Sequence, residues 1–84
     1  MKVKIFWQPE CPNCPSAKEL GKSLEEKNVK VEYKNIKDAD GLADAAYYGI
    51  MATPSVLVCA EDDAEVKLWL SKTPQIKDVM EVIE

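Results

Sequence analysis

The chain has 84 residues, of which 11 are lysine, 15 are acidic and none is histidine or arginine, which gives a net charge of −4. Apolar residues make up 46% of it, enough for a hydrophobic core and too many for a disordered segment. The length predicts one domain spanning residues 1–84. The charge argues against a nucleic-acid partner, and no apolar stretch reaches the roughly 18 residues of a membrane span.

The first two predicted elements are a strand and a helix. In residues 2–7, β-branched and aromatic side chains alternate with lysine, which is typical of a strand. From Pro12 to Lys27 the apolar residues recur at helical spacing, with Pro12 suited to the first helical position and Cys11 to the N-cap. The residues that carry this spacing are Ala17, Leu20 and Leu24.

A second strand and a second helix follow. Residues 29–36 alternate apolar with charged side chains, which indicates a strand near the edge of a sheet. Asp40 is the predicted N-cap of the next helix, and Gly49 is its predicted C-terminal stop. The inner face of this helix is expected to consist of Leu42, Ala45 and Ala46.

The C-terminal part predicts a hairpin and a third helix. Residues 55–60 are almost continuously apolar, as in a strand covered on both faces, and residues 66–70 pair back onto it. Thr73 and Pro74 are predicted to start the last helix. Its buried face comprises Ile76, Val79, Met80 and Ile83. The resulting order, βαβ-α-ββα, predicts an α/β fold with a four-stranded mixed sheet flanked by three helices.

Cys11 and Cys14 form the sequence feature that points most directly to chemistry. They fall between the first strand and the first helix, where free backbone N–H groups and the helix dipole stabilise a thiolate. Glu10 opposes this effect, because an adjacent carboxylate disfavours a second negative charge. Without histidine, the chain cannot use a Cys–His nucleophile.

Three interpretations of the pair remain open from the residues: packed thiols, a metal or iron–sulfur carrier, and a redox dithiol. Structural zinc takes four N or S ligands, and Cys59 is the only other candidate in the chain. Cys59 falls in the buried strand, where a free cysteine packs as a small hydrophobe. Lys18, two turns beyond Cys11, is expected to be solvated.

Three sequence stretches resemble a known family. "CPNCPSAK" resembles the C-P-x-C-x-x-A-K signature of glutaredoxins, and "IFWQPEC" resembles the strand that enters the thioredoxin active site. "YYGIMATPSVLV" resembles the segment around the cis-proline of thioredoxin-fold proteins. Together they are most similar to the small archaeal thioredoxins. The resemblance implies a thioredoxin fold, a cis Pro54 facing the dithiol, and substrate contacts through Thr53, Pro54, Pro12 and Asn13.

The resemblance further implies a protein-disulfide reductase with Cys11 as nucleophile and Cys14 as resolving cysteine. Its only cofactor would be the Cys11–Cys14 disulfide itself. The expected partners are disulfide-containing proteins and a thioredoxin-reductase-like flavoprotein as electron donor, and we expect a cytoplasmic monomer that binds no membrane.

Two positions depart from the related families. Ile5 stands where thioredoxins carry a buried aspartate, and "SKTPQ" stands where glutaredoxins carry the Gly-Gly and Asp signature that holds glutathione. A glutathione-dependent glutaredoxin is therefore the alternative within the same chemistry, and a metal or cluster carrier is the alternative of another class.

Overall fold

The computed structural model describes all residues from 1 to 84, and it contains four strands and three helices. In chain order these are β1 (Lys2–Trp7), α1 (Cys14–Glu26), β2 (Lys30–Asn35), α2 (Ala39–Tyr48), β3 (Ser55–Cys59), β4 (Glu65–Trp69) and α3 (Ile76–Ile83). The predicted element order is confirmed. The strand bounds agree with the predicted ones to within one residue, because each strand carries a marked pattern: alternation in β2 and a continuous apolar run in β3.

The four strands form one mixed sheet in the order β2-β1-β3-β4. β1 runs parallel to β2 and antiparallel to β3, and β4 pairs antiparallel with β3. β2 is an edge strand, as its charged residues predicted. β1 lies at the centre, so its C-terminal end carries the following loop out of the middle of the sheet.

Helices cover both faces of the sheet, and alternate residues of the central strands serve the two layers. One face packs against α1 and α3 through Val3, Ile5, Ala17, Leu20, Leu24, Val56, Val58 and Val79. The other face packs against the α2 side through Phe6, Ala45, Ile50, Leu57 and Cys59. β3 is fully buried, as predicted. None of the three helices is both long and apolar enough to cross a membrane.

The start of α1 differs from the prediction. The helix begins at Cys14, with Asn13 as N-cap, so Pro12 precedes it and Cys11 is not the N-cap. The φ angle of proline fits the second position of a β-turn as well as the first position of a helix. Here it serves the turn. Pro15 lies in the first helical turn, where a missing N–H leaves no hydrogen bond unmade.

The starts of the other two helices also differ. Asp38, not Asp40, is the N-cap of α2, since the Leu42 N–H donates to the Asp38 carbonyl at 2.8 Å. α3 begins at Ile76 after an extended Gln75, so Thr73 and Pro74 belong to the preceding loop. The predicted C-terminal stop of α2 at Gly49 is confirmed by its left-handed backbone, with φ 72°.

The buried face of α2 is only partly the predicted one. Gly41 and Ala45, one turn apart, are buried, whereas Leu42 is 58% exposed. A Cβ atom at Gly41 would overlap the carbonyl oxygen of Asn35 in β2. The glycine lets the helix lie directly on the end of that strand, and this contact turns Leu42 outward.

Candidate active site

Cys11 and Cys14 occupy the two ends of a tight turn between β1 and α1. The Cys14 N–H donates to the Cys11 carbonyl at 3.2 Å, and Asn13 has φ −99° and ψ −1°, close to the third position of a type I turn. Pro12 takes the second position, which its ring favours. The turn brings the two Cα atoms to 5.3 Å, within the range that a disulfide spans, and the two sulfurs are joined.

The two cysteines differ in exposure. Cys11 is half-buried in the turn, whereas Cys14, the first residue of α1, is 3% exposed. A reacting partner therefore reaches the sulfur of Cys11 more easily than that of Cys14. Because α1 has no acidic residue in its first turn, no carboxylate of the helix counteracts its positive end.

The disulfide opens into a groove that runs along α1. Its walls are Trp7, Gln8, Pro9, Glu10, Cys11, Pro12, Cys14, Pro15, Lys18, Glu19 and Lys22. The charged residues are two glutamates and two lysines, so the side chains that line the groove have no net charge. Glu10, directly before Cys11, adopts a positive φ of 64°, which is unusual for a residue with a long side chain.

Lys18, which the sequence predicted to be solvated, is partly exposed and also contacts an aromatic ring. Its Nζ lies 3.7 Å from the centroid of the Trp7 ring, and both residues line the disulfide groove. This is the geometry of a cation–π interaction. No sequence signal pairs the two residues, because Trp7 ends β1 and Lys18 lies in α1.

The loop before β3 lies beside the turn and contains the Thr53–Pro54 bond, which is cis as expected. Pro54 is buried, and Thr53 Oγ1 accepts a hydrogen bond of 2.9 Å from Gln8 Nε2. Gln8 also lines the disulfide groove. This hydrogen bond ties the cis-proline loop to the segment that carries Cys11, and sequence reasoning did not identify Gln8.

Ser55, the first residue of β3, anchors the cis-proline loop by a hydrogen bond. Its buried hydroxyl donates to the Ala52 carbonyl at 2.8 Å and accepts from the Ser71 N–H at 3.2 Å. Ser71 has a positive φ of 59°. One buried hydroxyl thus joins the cis-proline loop to the loop before α3, and its only signal in the sequence is a serine at the start of a strand.

A second, polar cleft lies on the other side of the turn. Asn13 and Ser16 form one wall, and Pro54 with Ser71, Lys72 and Thr73 forms the other. Of the predicted substrate-contacting residues, Asn13 and Pro54 meet in this cleft, Pro12 lines the disulfide groove, and Thr53 bonds Gln8. Three of the four residues thus line one of the two depressions that flank the turn, and Thr53 is joined to the groove through Gln8.

The third cysteine takes no part in the site. Cys59 is a free thiol that is fully buried on the sheet face opposite α1. Burial raises the pKa of the Cys59 thiol, and the charges of Lys4 and Lys2 offset only part of this rise. No group of three or more His, Cys, Asp or Glu side chains is placed to hold a metal ion.

Comparisons with known proteins agree with the fold. Residues 1–68 match the thioredoxin domain family. The chain is 34% identical over 61 residues to a thioredoxin from Methanocaldococcus jannaschii, an alignment that covers 69% of each chain.

Solved structures give the same fold. Thioredoxin 1 from Thermosipho africanus superposes with a TM-score of 0.77 at 17% identity, covering 99% of this chain and 90% of that one. A mutant thioredoxin from Halobacterium salinarum superposes with a TM-score of 0.80 at 19% identity, covering 98% and 70%.

Proposed function

Because the chain belongs to the thioredoxin domain family, we propose that it is a protein-disulfide reductase acting through Cys11 and Cys14. The observation that carries this proposal is the disulfide itself. It closes a turn at the end of the central strand, with one sulfur accessible and a cis-proline loop beside it. Thiol–disulfide oxidoreductase chemistry needs no further cofactor here, since the two sulfurs carry both electrons.

The proposed reaction begins from the reduced dithiol. The Cys11 thiolate attacks one sulfur of a target disulfide, a bond to Cys11 forms, and the other target sulfur leaves as a thiolate that takes a proton from solvent. Cys14 then loses its proton to solvent and attacks the Cys11 sulfur. The target departs with its second thiol, and the chain is left with the Cys11–Cys14 disulfide. Two electrons have passed to the target.

The unequal exposure of the cysteines supports this order of events. A protein target approaches Cys11 more easily than Cys14, which is 3% exposed and lies within bonding distance of Cys11. We propose that Pro12, Asn13, Thr53 and Pro54 contact the target chain. The hydrogen bond from Gln8 holds Thr53 in place for that contact.

The electron donor is proposed to be a thioredoxin-reductase-like flavoprotein and not glutathione. Holding glutathione requires binding its two carboxylates. The cleft beside Pro54 offers one cation, Lys72, and the chain has no arginine to form a bidentate clamp. Pro74, in the loop before α3, supplies no backbone N–H.

We further propose that the chain acts as a single-domain monomer in a reducing, cytoplasmic compartment. One CxxC pair together with a free buried cysteine fits a reducing setting better than a secreted, disulfide-stapled protein.

The function is tested by following the reduction of insulin disulfides with dithiothreitol as the source of electrons. The wild-type chain is expected to accelerate the reduction, and the Cys11→Ser variant is expected to lose all acceleration. Cys59→Ser is the matched control, since it removes a thiol outside the site. A wild-type chain that adds nothing to the dithiothreitol rate contradicts the proposal.

The donor is tested separately. The oxidised chain is incubated with glutathione and glutathione reductase, and in parallel with a flavoprotein thioredoxin reductase from the same organism. We expect fast reduction only in the second reaction. Rapid turnover at about millimolar glutathione would make the protein a glutaredoxin in function.

A further inference from the structure

The groove beside the disulfide contains a positively charged side chain, that of Lys18, which has no role in the proposed mechanism. Lys18 Nζ rests 3.7 Å from the centroid of the Trp7 ring, so the partly exposed side chain lies along the wall of the groove. Lys18 follows Cys14 by four residues on α1, which places the two on the same face of the helix. Helical side chains lean toward the N-terminus, so the ammonium is carried toward the disulfide.

The reduced dithiol needs a source of positive charge. It must hold one sulfur as a thiolate, and the chain contains neither histidine nor arginine to stabilise that charge. Ile5, which stands where thioredoxins carry a buried aspartate, is fully buried in the core, carries no charge and moves no proton. The helix N-terminus is one source, and Lys18 is the charged side chain that the structure fixes in the groove.

We infer that Lys18, positioned by the Trp7 ring, stabilises the thiolate of the reduced Cys11–Cys14 pair. The inference rests on the proposed function, because it gives a role to the reduced form of that pair. Lys18 acts by its charge, and Trp7 is a positioning residue that keeps the ammonium in the groove. The two sulfurs titrate as a coupled pair, so the effect belongs to the first proton that the pair loses.

Four other charged side chains line the groove or the cleft beside the Cys11–Cys14 pair and also affect the stability of its thiolate. Glu10, from the loop before the turn, and Glu19, from α1, oppose thiolate formation in the groove. Lys22, one turn further along α1, lines the groove but makes no contact with an aromatic ring. Lys72 lines the cleft on the other side of the turn. Lys22 is therefore a control matched in charge, helix and groove.

The test measures thiolate formation directly. Reduced wild-type, Lys18→Met and Lys22→Met proteins are titrated by their absorbance at about 240 nm, and alkylation by iodoacetamide is timed at each pH. Methionine keeps the apolar stem and removes the charge. We expect Lys18→Met to shift the first midpoint upward by about half a pH unit and to slow alkylation at pH 7 roughly threefold. Lys22→Met is expected to shift the first midpoint by much less.

Two further readouts separate charge from packing. Lys18→Arg is expected to restore the wild-type midpoint, since a guanidinium also stacks on an indole ring. The difference between wild type and Lys18→Met is expected to narrow as the salt concentration rises to about 1 M, because salt screens an exposed charge. Trp7→Leu is expected to shift the midpoint upward like Lys18→Met, by a smaller amount.

Each contrary result has a definite meaning. An unchanged midpoint in Lys18→Met overturns the inference, as does a shift that arginine fails to restore or that Lys22→Met reproduces in full. A wild-type chain that reduces no protein disulfide while the Lys18 shift persists overturns the proposed function and leaves the inference about Lys18 standing.

Discussion

At the scale of single residues, the three cysteines of this chain illustrate how position decides chemistry. Cys11 and Cys14 sit at the ends of a turn that opens to solvent, whereas Cys59 is enclosed by the sheet and α2. Burial raises the pKa of the Cys59 thiol, which keeps it protonated and unreactive at neutral pH.

Cys59→Ala is therefore expected to leave disulfide reduction unchanged while lowering the free energy of unfolding by about 1 to 2 kcal/mol, the cost of a small cavity. Chemical denaturation gives the stability, and insulin reduction gives the activity. If a Cys59→Ala protein with an intact circular dichroism spectrum lost its activity, Cys59 would have a role beyond packing.

The residue scale also shows what sequence reasoning could and could not reach. The CxxC pair and the Thr-Pro segment were identifiable because their spacing is local. The contact between Lys18 and Trp7 was missed, since it depends on how α1 lies over the end of β1. The hydrogen bond from Gln8 to Thr53 joins residues 45 positions apart and left no pattern in the chain.

At the scale of elements, α2 packs against β2 without room for a side chain at Gly41. Gly41 faces the carbonyl oxygen of Asn35, and no room exists there for a Cβ atom. Helix propensity alone would favour alanine at this position. The contact and the propensity thus predict opposite effects of the same substitution.

We expect Gly41→Ala to destabilise the protein by roughly 1–3 kcal/mol, because the added methyl group forces α2 away from β2. Ala43→Gly, at an exposed position of the same helix, is the control and is expected to cost about 1 kcal/mol through propensity alone. Thermal or chemical unfolding measures both. Stabilisation by Gly41→Ala would show that the helix shifts without strain.

Element boundaries were predicted unequally well. The strands were located to within a residue, because alternation or, in β3, a continuous apolar run is bounded by turn residues. The helix starts were displaced by one or more residues, since Pro12 and Pro74 fit a turn and a first helical turn equally well. The outward position of Leu42 follows from the contact of Gly41, which only the folded chain reveals.

At the scale of the whole molecule, a network of ion pairs joins β1, β2, α2 and the β3–β4 turn. Lys4, only 5% exposed, contacts Asp44 at 3.3 Å, and Lys34 contacts the same carboxylate at 3.2 Å. Lys2 contacts Asp63 at 2.6 Å. These ion pairs link the four elements on one side of the sheet and add charge interactions to the packing of the apolar core.

The pKa values of these carboxyls determine how the network responds to acid. Burial raises the pKa of Asp44, but hydrogen bonds from Lys34 and Lys4 outweigh it and hold that pKa below its ordinary 3.8. The ion pair with Lys2 holds the pKa of Asp63 below 3.8 as well. Both contributions to stability are present above the unfolded-state pKa and are lost as the pH falls through the folded-state values.

We accordingly expect stability to stay nearly constant from pH 8 to about pH 5 and to fall below about pH 4. Asp44→Asn is expected to lower stability at pH 7 by on the order of 1 kcal/mol, since the carboxyl is partly exposed, and to flatten the acid decline. Urea unfolding at a series of pH values measures both. An acid decline equally steep in the variant would place the responsible groups elsewhere.

Cys11 is proposed to attack the target and Cys14 to release it, and trapping the mixed disulfide distinguishes these two roles. Reduced Cys14→Ser and Cys11→Ser proteins are each incubated with a disulfide-containing protein and analysed by mass spectrometry without reductant. We predict a covalent adduct through Cys11 in the Cys14→Ser protein and none in Cys11→Ser, whose two remaining thiols, Cys14 and Cys59, are both buried. An adduct formed by Cys11→Ser and absent from Cys14→Ser would contradict the account.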